Sequence, residues 1–144
     1  MYELQHGAID PYTRIGPFSL GMTLQEVLSV SNEFEIYSVG AIFELAGENI
    51  RLTFSTATQQ LFHITVWGSF QGKLDGWLGI DDKWKVVIEK GMTYHQDDLC
   101  LYVLNQYPLM YFELGDTADP DTWNEADASV IRMGIHQAND TDLM

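Results

Sequence analysis

The side chains able to do chemistry are few and widely spaced. The chain has four histidines, at 6, 63, 95 and 136. No two have the His-x-x-x-His or His-Glu-x-x-His spacing that sets two imidazoles on one helical face around zinc. His63 and His136 fall in strand-like runs, at positions alternating away from Ile64 and Ile135. That parity predicts half-exposed strand side chains. The single cysteine, Cys100, excludes an internal disulfide framework and a cysteine zinc site. It has the opposite parity to Leu99 and Leu101, and the adjacent Asp97-Asp98 would raise a thiol pKa. A structural thiol is therefore expected, since a nucleophile needs a basic setting. There is no Gly-x-Ser-x-Gly elbow and no phosphate-binding Gly-x-x-x-x-Gly-Lys-Ser/Thr loop. Gly72, Gly76 and Gly79 lack dinucleotide-binding spacing and read as a strand-to-turn connection. The expectation is a protein without catalytic residues, metal or cofactor.

Carboxylates are the abundant functional group. There are 21 Asp plus Glu against 7 Lys plus Arg, a formal charge of −14. Phosphate backbones and anionic membranes are bound through clustered Lys and Arg, so neither is an expected partner. The charge is uneven: from Gly91 onward ten acids face one base, Arg132. Asp116, Asp119, Asp121, Glu125 and Asp127 share one stretch with Trp123, and Asp97 with Asp98 forms a second acidic patch. The Asp119–Glu125 run lacks the Asp-x-Asp-x-Asp-Gly frame of a calcium loop. An aromatic side chain ringed by carboxylates suits a basic protein partner, because tryptophan anchors interfaces and complementary charge speeds encounter. These eight residues are the candidate partner-binding set.

Such residues need a scaffold, and 144 residues that are 46% hydrophobic suffice for one domain with a real core. Residues 1–144 are read as a single domain. Thr23 followed by Glu26 makes a capping box, and Leu24, Val27 and Leu28 have helical spacing, predicting a helix from about Leu24 to Ser31. A second helix carries Trp84, Val87 and Ile88, with Asp81 as its expected cap and Gly91 as its stop. Alternating or β-branched runs predict strands at 34–39, 42–45, 50–54, 61–67, 99–103, 109–114 and 130–135. Asp97-Asp98 is read as a turn. Short connections require mainly antiparallel pairing. The expected class is α+β: two short helices packed on a curved antiparallel sheet or half-barrel. Phe18-Ser-Leu-Gly-Met-Thr and Gly76-Trp-Leu-Gly-Ile-Asp echo each other, which predicts two helix-plus-three-strand repeats at about 12–70 and 71–138. The N-terminal stretch shows no secretory signal and no run is long enough to span a membrane, so a cytoplasmic protein is expected.

The second half of the chain resembles bacterial immunity proteins encoded beside polymorphic toxins, including those of contact-dependent growth inhibition. Gly72, Lys73, Gly76, Leu78, Gly79 and Ile80 carry the resemblance, with Asp97-Asp98 and Phe112-Glu113 downstream. Trp77-Leu78-Gly79 stands where the family usually has Gly-Ile-Gly. The resemblance implies a cytoplasmic, non-catalytic inhibitor of one cognate toxin domain, often a nuclease. An acidic inhibitor competes where a basic nuclease would hold phosphate. The alternative is a small-ligand-binding α+β domain whose pocket is lined by Phe43, Phe54, Trp67, Tyr102 and Tyr111.

Overall fold

A computed structural model describes residues 9–98, 101–115 and 124–137. The fold is α+β. Three two-residue strands come first: β1 (Ile9–Asp10), β2 (Arg14–Ile15) and β3 (Phe18–Ser19). They form a small antiparallel sheet of their own. Helix α1 (Leu24–Val30) follows, then β4 (Glu35–Val39), β5 (Ile42–Gly47), β6 (Ile50–Ser55) and β7 (Leu61–Trp67). Helix α2 (Lys85–Lys90) precedes β8 (Tyr94–Asp98), β9 (Leu101–Leu104), β10 (Met110–Gly115) and β11 (Ser129–His136). A single 3-10 turn, Glu125–Asp127, leads into β11.

Strands β4 to β11 make one antiparallel sheet in the order β4-β5-β6-β7-β11-β10-β9-β8. Each half is a helix followed by a four-stranded meander, one strand more than the sequence suggests. The two meanders meet at β7 and β11, and β4 and β8 are left as edges. The extra strand in the second half is β8, so Asp97 and Asp98 end a strand and do not make a turn. Hydrophilic Tyr94–Asp98 carries no apolar alternation, yet it pairs with β9 through its backbone.

The halves also match at their helix entries. Gly21 N–H donates to Leu61 O and Leu61 N–H to Met22 O, at 2.7 and 2.8 Å. Asp81 N–H donates to Val130 O and Val130 N–H to Asp82 O, at 2.8 and 2.9 Å. Each clasp grips the last strand of its own half. Gly21 and Asp81 both have positive φ, +93° and +74°. The structural equivalent of Gly21 is therefore Asp81, not Gly79 as the Leu-Gly echo suggests. This explains why Asp81 does not cap α2. Its backbone is used in the clasp, and the residue at the N-cap of α2 is Trp84, with no side-chain cap. In α1 the capping box is formed, with Thr23 Oγ1 accepting from Glu26 N–H and Glu26 Oε1 from Thr23 N–H.

The core lies between the helices and one face of the large sheet. Trp84 is fully buried, with Tyr94, Tyr102 and Phe112 rings 5.4–5.6 Å from its own. Val27 and Val87 anchor the two helices. Along β10 burial alternates strictly, with Met110, Phe112 and Leu114 inward and Tyr111 and Glu113 on the far side. Period-2 alternation of this kind leaves a second, polar sheet face.

Candidate functional site

The polar face opposite the core forms a cleft of about 460 Å³, lined from β5 across to β8. Strand register sets its floor. Arg51, Thr65, Gly134 and Tyr111 lie in one row across β6, β7, β11 and β10. Glu44, Thr53, His63 and His136 form the next row. Trp67, Arg132, Glu113 and Leu101 form the row on the other side.

Gly134 is the key to the floor. A Cβ there would stand 2.3 Å from Tyr111 Oη and 2.4 Å from Cζ, so only glycine lets the ring lie across β11. Tyr111 Oη thereby reaches His63 Nε2 at 2.7 Å and Thr65 Oγ1 at 2.8 Å, two strands away. Thr65 Oγ1 is also 3.2 Å from His63 Nε2, closing a three-membered polar cluster. Burial, then the charges of His136 and Arg51, push the His63 pKa down to about 4. Burial raises that of Tyr111. Both groups are neutral at pH 7, and a base that weak suits binding better than proton abstraction.

Two of the chain's cations converge beside this cluster. The guanidinium carbons of Arg51 and Arg132 lie 5.9 and 5.6 Å from the centre of the Trp67 ring. Their carboxylate partners are distant: Arg51–Glu44 is 3.5 Å and Arg132–Glu113 is 3.7 Å. Charge-assisted hydrogen bonds run shorter, about 2.7–2.9 Å. Among the described residues, buried Arg132 Nε has no hydrogen-bond acceptor. An unmet buried donor costs about 1–3 kcal/mol. Apolar side chains complete the wall. Phe62 and Val103 are buried here yet belong to no part of the main core.

The acidic residues expected to bind a partner are arranged differently. Asp116, Asp119, Asp121 and Trp123 lie outside the described residues, as does Cys100. Glu125 and Asp127 are described, and both are engaged within the fold. Tyr94 Oη donates to Glu125 Oε1 at 2.5 Å, which with burial pushes the Tyr94 pKa up to about 12. Lys83 Nζ donates to Asp127 O at 3.0 Å and pairs with its carboxylate at 3.2 Å. Asp97 is exposed and lines the cleft from edge strand β8. Asp98 lies in register with Leu101, which pairs with Glu113. Glu125 reaches Tyr94 at the start of β8, on the side that packs against Trp84, whereas Asp97 and Asp98 stand at the other end of that strand, so the described residues do not join the two acidic patches.

The five aromatic residues proposed to line a ligand pocket separate. Phe43 and Phe54 stack at 4.8 Å within the core, and Tyr102 packs on Trp84. Trp67 and Tyr111 are on the cleft face. The cleft lies on the sheet face opposite that core. The sequence reading missed the convergence of Arg51, Thr65, Arg132 and Gly134. The available signal was parity: His63, Thr65 and Trp67 share one face of β7, as do Arg132, Gly134 and His136 on β11.

Among the described residues, no group of three or more His, Cys, Asp or Glu could hold a metal ion. None of their helices is long and apolar enough to cross a membrane. Comparison with known protein families, curated proteins and solved structures finds no match to this chain.

Proposed function

We propose that this chain is a non-catalytic immunity protein that binds and neutralises a cognate bacterial toxin domain, a basic nuclease, in the cytoplasm. Its contact set is Asp97, Asp98, Asp116, Asp119, Asp121, Trp123, Glu125 and Asp127. The observation that carries this reading is the concentration of charge: from Gly91 onward ten acids face one base, Arg132. The net charge of −14 supplies long-range attraction for a basic partner. The matching helix entries of the two halves support an origin from two repeats. The resemblance of Gly72–Ile80 and Phe112-Glu113 to toxin-linked immunity proteins supplies the partner class.

The test is co-expression with the toxin domain encoded by the adjacent upstream gene. Wild type restores growth. A triple variant, Asp97→Lys with Asp119→Lys and Asp121→Lys, folds by circular dichroism and fails to protect. An absence of protection by the wild-type chain contradicts the reading.

A further inference from the structure

We propose that the cleft opposite the core is a binding site for a small amphipathic carboxylate, with Arg132 and Arg51 taking the carboxylate and the Phe62–Val103 wall taking its apolar body. This inference is independent of toxin binding.

Four observations carry it. The cleft volume of about 460 Å³ is within the ordinary range for small-molecule sites, roughly 300–1,000 Å³. Its chemistry is divided. Arg51 and Arg132 line it, each near the ring of Trp67 on the same sheet face, and Phe62, Val103 and Pro108 form apolar wall. The arginines lie near the Trp67 ring and pair with Glu44 and Glu113 at 3.5 and 3.7 Å, and Arg132 Nε has no hydrogen-bond partner among the described residues. A planar carboxylate is the acceptor that matches a guanidinium fork. Finally, the neighbouring groups are already satisfied. His63, Thr65 and Tyr111 bond to one another, so they shape the floor without demanding a polar ligand atom.

Glu44, Glu113 and Asp97 face the cleft along with Arg51, Arg132, His63 and His136. A doubly charged phosphate would meet three carboxylates, whereas a single carboxylate adds one charge beside two guanidinium groups. The apolar wall of Phe62, Val103 and Pro108 favours a ligand with an apolar body over phosphate alone.

4-Phenylbutyrate is a suitable probe, with 4-phenyl-1-butanol as its uncharged counterpart. Titration followed by NMR reads Arg132 Nε–H, the His63 ring and the Val103 methyls. The expected result is saturating shifts at all three with phenylbutyrate, and about tenfold weaker binding of the alcohol. Arg132→Gln and Arg51→Gln, both at partly exposed positions and checked for native spectra, each weaken phenylbutyrate about tenfold and leave the alcohol unchanged. Failure to saturate overturns the proposal. So does equal binding of acid and alcohol, or undiminished phenylbutyrate binding in Arg132→Gln.

Discussion

Replacing Gly134 by alanine should disturb the cleft floor out of proportion to one methyl group. The new Cβ would sit 2.3–2.5 Å from three atoms of Tyr111, contacts that real carbon atoms do not make. Arg132 and His136 flank it on the same strand face, so the Tyr111 ring must lift. Overpacking of this kind costs about 1–3 kcal/mol. Lifting the ring also parts Tyr111 Oη from His63 and Thr65, and each such bond contributes about 1 kcal/mol net. Alanine returns about 0.5–1 kcal/mol through its lower backbone entropy. The sum is a destabilisation of about 2–4.5 kcal/mol. For a chain of this size that lowers Tm by roughly 6–14 °C. Urea unfolding should show a lower midpoint at unchanged slope. NMR titration should show the His63 pKa rising from about 4 toward the ordinary 6.5 as water reaches the ring. The control is Tyr111→Ser, which removes the obstacle: Gly134→Ala should then cost less by about 1–2 kcal/mol. Equal destabilisation in the two backgrounds, or a Gly134→Ala variant as stable as wild type, would refute the geometry.

His63 also sets a pH dependence. Its folded pKa of about 4 lies below the ordinary 6.5, so the unfolded chain takes up this proton first as pH falls. Its contribution is complete above pH 6.5 and is lost as pH drops from there to 4, a change on the order of 3 kcal/mol. His63→Gln should flatten the stability profile in that window, measured by urea unfolding at several pH values. Thr23→Ala removes one bond of the α1 capping box and should cost about 1 kcal/mol; adding Glu26→Ala removes the second, from the backbone N–H of residue 23, and should cost about 0.5–1 kcal/mol more. Trp84→Ala, at the fully buried centre of the aromatic cluster, should cost about 3–5 kcal/mol by the same assay.

Much of the scaffold was legible because burial imposes a period. Leu24, Val27 and Leu28 announced α1, and the alternation of β6, β7 and β10 announced an antiparallel sheet. β8 was not legible. It is a polar edge strand, held by backbone hydrogen bonds to β9, and it leaves no apolar pattern. The helix entry of the second half was misjudged for a related reason. Asp81 looks like a cap by residue type, but tertiary pairing with Val130 takes its backbone and imposes positive φ. The candidate site was half legible. Composition exposed the acids but not that Glu125 and Asp127 are bound internally by Tyr94 and Lys83. The cleft required register: His63, Tyr111 and Gly134 are far apart in sequence, and only strand pairing sets them side by side.

The central claim is recognition of a basic toxin domain through the acidic residues of the second half. Calorimetric titration of the full chain with the product of the adjacent upstream gene, at low and high salt, tests it most directly. The account predicts a tight one-to-one complex that weakens with salt and weakens further when Asp97, Asp119 and Asp121 become lysine. A complex of unchanged affinity in that variant would contradict the assigned surface, and no complex at either salt would contradict the immunity function itself.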